Sequence, residues 1–508
     1  MVRKIPLYLL IVLLIGSVIA GCSSETANRG SGAAKDTLIV GVPDAAVYMD
    51  PQIQASVASY RVTTQIFDRL VALDSNMKLV PALAESWDVE NETTTVFHLR
   101  KGVKFHNGEE MKAEDVKYSL ERTIASDGVN YNYLIISDIM IVDDYTVKIV
   151  TSKPFNALLY RLTLDAAAIL SKKAATSGED FNAHPVGAGP YKFVSWELGG
   201  DVVLEAFPDY YRGEPKIKKL IFRQIPEALN RSVGLETGEI DLAYDLAITD
   251  LDKVKGNKNL ALEEVTSTTE WYLGFNTKKP ILDDVRVRQA IAYALNTKDM
   301  IDIVFNGVAT PSHNTMIPPD VFGYAPDTVT YDFNIEKAKS LLAEAGHPNG
   351  FKTTLWVPDS QVPRDAAVVI QGQLSAIGIQ VEVKTMEQGK YYSATGKGEH
   401  DLFFMSKTSI DPDSMLRAVY HTQAFGLSGN RSFWATKEVD EKLDRASVTT
   451  DSNEAKQLYA DVQKIVADQL PLIPIGIEHL NAGMQSTVKG FGLYPGKTHS
   501  IYGTYFEE

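Results

Sequence analysis

The sequence predicts a mixed α/β protein of more than one domain, on three observations. Short runs rich in β-branched residues alternate along the chain with amphipathic stretches of helical period. A length of 508 residues with 44% hydrophobic and 23% charged suits about three folded domains and excludes a disordered chain. No segment repeats with a period of roughly 20 to 50 residues, which disfavours solenoids and propellers. Fifty Lys and Arg against 65 Asp and Glu leave a formal charge of −15, so a basic face for nucleic acid is not expected. One cysteine excludes internal disulfides and multi-cysteine metal sites.

The first element is an address. Arg3 and Lys4 precede an apolar stretch from Ile5 to Ile19, and Ala20 and Gly21 precede Cys22. A basic start, an apolar middle and a small-residue cut predict a signal peptide over residues 1–21. The apolar middle is shorter than the about 20 residues of a membrane span. The string VIAGC resembles the lipobox of bacterial lipoproteins, which implies a lipidated Cys22 as the mature N-terminus; the competing reading is a spare thiol. A thioether-linked diacylglycerol with an amide-linked acyl chain passes the two-chain threshold for stable anchoring. Residues 22–36 are small and polar and read as a flexible tether, so the folded body starts near Thr37.

Within the body, Thr37–Val42 and Thr93–Arg100 read as strands, and Ala113–Arg122 and Val285–Leu295 as helices. Asn334 caps a helix that turns Ala338, Leu341, Leu342 and Ala345 inward and stops at Gly346. Ala367, Ile370, Leu374 and Ile377 keep helical spacing up to Gly378, and Ile379, Val381 and Val383 then alternate as a strand. A last helix runs from Glu454 to Gln469 before Pro471, with Leu458, Val462, Ile465 and Val466 on one face. These faces read as core.

Catalytic patterns are missing. Neither H-E-x-x-H nor G-x-S-x-G occurs. Gly492–Thr498 imitates a phosphate loop but has three residues between its glycines where four are needed, with Pro495 lacking the N–H that would cradle phosphate. Val186–Phe193 carries two glycines but Pro190 and Lys192 where a dinucleotide loop would open a helix, so a turn between strands is expected. The nine histidines show no i, i+4 pair, and no cofactor is implied.

The stretch Leu83–Arg122 carries a resemblance. Ser86-Trp87, then Leu99-Arg100, Gly102-Val103, Phe105-His106 and Gly108, then Ala113-Glu114-Asp115-Val116 resemble the peptide, nickel and glutathione class of extracellular solute-binding proteins that serve ABC importers, family 5. Pro185–Tyr191, Asn230–Leu242, Leu273–Asn296, the string VVIQGQLSAIGIQVEV and the stretch from Asp411 to Trp434 extend the likeness over nearly the whole mature chain. The matched residues, His106 among them, read as scaffold.

The resemblance implies an α/β fold of two lobes with mixed sheets, similar to periplasmic binding proteins, with a hinge between the lobes and an extra subdomain in the first. The boundaries expected are 37–280 for the first lobe, with the subdomain at about 72–189, 281–485 for the second, and 486–508 for a return to the first. It implies no enzyme activity, but capture of a short peptide or glutathione-like solute and delivery to ABC permease subunits with cytoplasmic ATPases. It further implies a monomer outside the cytoplasm, held to the bacterial cell membrane by the lipid on Cys22. Peptide-binding members add the ligand main chain as a strand, which places Met405 and Ser406, within Phe403–Lys407, against it. Family members that take a free amine often carry an aspartate just after this strand, where Thr408 stands, unless Asp411 supplies the anion. Arg431 and Arg364 are candidates for a ligand carboxylate, against the alternative of ion pairs within a lobe. Trp271 and Tyr272 are candidates for an apolar wall, against a core role, and Tyr48 lies in the loop from which members reach ligand. No metal is expected in this reading; the alternative within the class is a nickel or other metal chelate held by His421.

Overall fold

Two long strands, Leu260–Phe275 and Leu472–Gln485, lie antiparallel through the middle of the largest sheet and join its two halves. Their register shifts between Thr266 and Glu270 and again between Trp271 and Tyr272, so the ladder bends where the chain passes from one half to the other. The computed structural model describes residues 35–507, apart from 54–55, 127, 131–132, 198, 427–428, 450 and 497–498. The signal segment, Cys22 and most of the tether lie outside the described residues.

Beyond the bend, Leu402–Thr408 pairs antiparallel with Thr269–Phe275, and Lys352–Pro358 and Gln380–Met386 follow in parallel. On the near side, Leu242–Tyr244 pairs with Leu472–Gln485, then Thr37–Val42, Lys219–Gln224, Val202–Ala206 and Tyr191–Trp196. With Ala309–Pro311 on the edge of Leu472–Gln485, this makes eleven strands of mixed direction. A separate four-stranded antiparallel sheet, Ala84–Asn91, Thr94–Leu99, Thr146–Thr151 and Ile136–Asp143, is backed by the helix Ala113–Ile124.

Each half has its own apolar cores. Leu38, Val40, Phe67, Leu220 and Ala482 pack in the first lobe, and Phe97, Leu99, Phe105, Leu120 and Ile149 make the subdomain core. In the second lobe, strand alternation sends Leu273, Phe275, Leu402 and Phe404 to one face and Tyr272, Phe403 and Met405 to the other, each against helices. His106 belongs to the scaffold, as its place in the motif suggests. Its Nε2 lies 3.0 Å from the Gly189 carbonyl and its ring meets Phe207 edge-on. No helix among the described residues is long and apolar enough to cross a membrane.

The lobes touch through the end of the subdomain. The backbone N–H of Asn156 donates to Ser447 O at 3.0 Å, and its side-chain amide donates to Ala446 O and Thr449 O at 2.7 and 3.1 Å. Arg161, four residues into the helical turn that follows, reaches Asp411 at 3.6 Å. Asp36–Glu507 thus forms one compact unit with its cleft drawn together.

Candidate functional site

Leu402–Thr408 is an edge for half its length. One side pairs with the hinge strand throughout, while the other meets Lys352–Pro358 only at Leu402 and Phe403. The Tyr391 hydroxyl donates to the Phe404 carbonyl at 3.0 Å on that second side. Alternation turns the N–H and C=O of Ser406 to the same side, where no strand pairs with them. A short open edge beside the hinge is a place where an extended main chain can add as a further strand.

Charged side chains surround this edge. Lys407 is half-buried, on the face of Phe403 and Met405, and stands directly opposite Glu270 in the register. Removal from water lowers its ammonium pKa, Arg161 and Arg431 push the same way, and Asp411 opposes them. Arg431 is buried, its Nε donating to Thr395 Oγ1 at 3.0 Å and its guanidinium lying 5.3 Å from the centre of the Tyr392 ring. Glu270 is fully buried at the bend, bonded to Ser312 through one oxygen, and burial raises its carboxyl well above the usual range.

Asp411 has its own duties. It caps the helix Pro412–Tyr420, accepting from Ser414 N at 2.8 Å and from Ser414 Oγ at 2.7 Å. With Arg161 it flanks a cavity of about 230 Å³ lined by Asn156, Tyr160, Phe322 and Tyr459. On the other side, Ile410 lines a cavity of about 610 Å³ with Arg69, Asp165, Tyr494 and His499. Arg69 and Asp165 pair across its wall at 3.1 Å.

The structure brings Met405, Ser406, Thr408, Asp411 and Arg431 into one region. Met405 is buried, Ser406 is half-buried, and Thr408 is exposed with its hydroxyl 2.8 Å from that of Thr269. Trp271 and Tyr272 leave the hinge strand on opposite faces. Trp271 stacks on Phe404 at 5.6 Å, and Tyr272 is buried edge-on against Phe403, so each is part of a second-lobe core. Tyr48 is half-buried in the first lobe, its N–H donating to Ser59 Oγ at 2.9 Å. Arg364 is not brought to the others: it lies exposed in the first turn of the helix Gln361–Ser375, bound to Asp359 and Gln361. His421 is buried behind the helix it terminates, 3.4 Å from Asp444 and 3.7 Å from Asp440. No group of three or more His, Cys, Asp or Glu among the described residues is placed to hold a metal ion.

Sequence reasoning missed Lys407 and Arg161. Lys407 ends the very strand singled out, and period-2 alternation was a signal that would have set it on one face with Met405. Arg161 comes from another lobe, and nothing local marks it.

Two lobes joined by hinge strands define a protein of the periplasmic-binding class. The chain belongs to the bacterial extracellular solute-binding proteins, family 5, whose middle-region model matches residues 78–426. It is 32% identical to the dipeptide-binding protein of Escherichia coli K12 over 89% of this chain and 91% of that one. It is 32% identical to a glutathione-binding protein of Pectobacterium atrosepticum over 94% of this chain and 95% of that one. Among solved structures, an ABC transporter-associated periplasmic binding protein from Helicobacter pylori in complex with the peptide STSA superposes with a TM-score of 0.80 at 30% identity, over 94% of this chain and 99% of that one.

Proposed function

We propose that the protein captures a short peptide or glutathione-like solute between its lobes and delivers it to an ABC importer, without chemistry on the ligand. The observation that carries this reading is the open edge at Ser406, on the strand paired with the hinge strand. Main-chain hydrogen bonds at such an edge favour ligands with a peptide backbone, and side-chain charges then select among them. The dipeptide-binding and glutathione-binding relatives support the same ligand class. Lipidation at Cys22 holds the body, as a monomer, outside the cell membrane beside two permease subunits with cytoplasmic ATPases.

Thermal unfolding against free peptides of two to five residues, terminally blocked versions and glutathione tests the reading. A ligand at 100 times its dissociation constant stabilises the closed form by about 2.7 kcal/mol, a resolvable rise in Tm. A rise with free peptides or glutathione that vanishes when a terminus is blocked supports it. A rise with nickel alone, removed by His421→Ala, would replace it with metal capture.

A further inference from the structure

We propose that the solute held in this cleft is net anionic, carrying at least one carboxylate more than it carries amines, with the surplus carboxylate seated between Lys407, Arg431 and Arg161. The inference rests on the reading of the cleft as a peptide-type site.

The charges around the cleft do not balance. Asp411 answers Arg161, Asp165 answers Arg69, Asp245 answers Arg61 at 2.8 Å, and Asp413 answers Arg417 at 3.1 Å. Among the described residues, Lys407 and Arg431 form no ion pair. The Arg431 side chain donates to Thr395 Oγ1 and to the Gly429 carbonyl, and neither carries charge. Glu270 stands opposite Lys407 in the ladder but forms no ion pair with it; it is bonded to Ser312 instead, and burial raises its carboxyl pKa. Two cations without an ion-pair partner among the described residues therefore stand where closing lobes expel water, Lys407 with only the longer-range pull of Asp411, and a poorly paired buried charge is costly.

Closure worsens the imbalance. Arg161 comes from the first lobe and Lys407 and Arg431 from the second, and Arg161 and Arg431 both act unfavourably on the Lys407 ammonium. A carboxylate between them turns that repulsion into attraction and accepts charge-assisted bonds from both lobes. The site offers a ligand ammonium much less. Thr408 is uncharged, its hydroxyl is taken up by Thr269, and Asp411 already caps its helix and meets Arg161. A solute with two carboxylates and one amine matches this arrangement better than a zwitterionic dipeptide.

The test is isothermal titration with the protein lacking only residues 1–22, which keeps the whole compact unit. The probes are Ala-Ala, Ala-Lys, Ala-Glu, Glu-Glu and glutathione, with succinate and glutarate alongside, at low salt and at about 0.5 M salt. The expected result is that acidic peptides bind at least about tenfold tighter than Ala-Ala, with the preference shrinking in salt. Lys407→Met and Arg431→Gln should each cut the preference for acidic peptides over Ala-Ala to about threefold or less. Both variants are checked for an unchanged melting profile, and the wild-type ranking decides the question if either misfolds. Ala-Ala binding as tightly as Glu-Glu overturns the inference and leaves the peptide reading intact. Binding of the dicarboxylates with none of the peptides keeps the anion site and overturns the peptide reading; binding of no probe overturns both.

Discussion

Buried titratable groups make the stability of this protein depend on pH in two opposite directions. His400 is fully buried in the second lobe, its Nε2 lying 3.1 Å from the Arg431 carbonyl. Burial is the main cause that lowers its pKa from 6.5 to about 4; the hydrogen bond to the Arg431 carbonyl opposes it, and the charges of Arg431 and Lys279 add to it more weakly. The unfolded chain therefore takes up the proton first: the contribution of His400 is intact above pH 6.5 and is lost as pH falls toward about 4. One such group accounts for about 3 kcal/mol over that range. Tm should fall steeply between pH 7 and 4.5, and His400→Phe should lower Tm at pH 7 yet flatten the fall; an equal slope in both proteins refutes the role given to His400. Glu270 acts in the other direction. Its raised pKa keeps a proton in the folded state that the unfolded chain releases, so its contribution is lost as pH rises past the ordinary carboxyl range. Glu270→Gln should raise Tm at pH 8 more than at pH 5, and a uniform change at both would show that the carboxyl is ionised in the fold.

At the scale of elements, the turn Gly187–Pro190 fastens the subdomain to the first lobe by close backbone contact. Gly189 N donates to Ile66 O at 2.9 Å, and a Cβ on Gly187 would stand 2.1 Å from that same oxygen. The neighbour is backbone and cannot swing aside, so Gly187→Ala should cost about 3 kcal/mol, at the upper end of overpacking. A denaturant midpoint unchanged by that substitution would show that the helix Val57–Ile66 moves freely. Elements of this kind were legible because their signals are local. Asn334 caps Ile335–Glu344 by accepting from Lys337 N at 2.9 Å, and Gly378 ends the next helix with φ +82° before the strand Gln380–Met386. The site was less legible. Trp271 and Tyr272 are neighbours in sequence, but strand alternation parts them to opposite cores. Arg364 has the chemistry of a carboxylate clamp, yet its partner Asp359 is five positions away and holds it on the outside. Arg161 reaches Asp411 and acts on the Lys407 ammonium only because the subdomain folds across to the second lobe, which no periodicity in either segment encodes.

For the whole molecule, closure depends on a few contacts that exist only when the lobes meet. The Asn156 side chain donates to two carbonyls of the opposite lobe, and in an open form water would satisfy all three groups. Removing it should therefore weaken the closed state and leave each lobe as it was. Two neutral hydrogen bonds are together worth about 1–2 kcal/mol. If closure is coupled to binding, the apparent dissociation constant scales inversely with the closed fraction, so Asn156→Ala should raise Kd about 5- to 30-fold. Tm without ligand should change little. The contraction on ligand binding, followed as a fall in radius of gyration by solution scattering, should need correspondingly more ligand to reach half-completion. The open edge at Ser406 lies in the second lobe and is untouched by the change, so a weak encounter there should survive. An unaltered Kd would mean that the cleft binds its solute without the subdomain contact, and a large loss of Tm in the absence of ligand would mean that Asn156 supports the fold itself. Either result would detach capture from the meeting of the lobes.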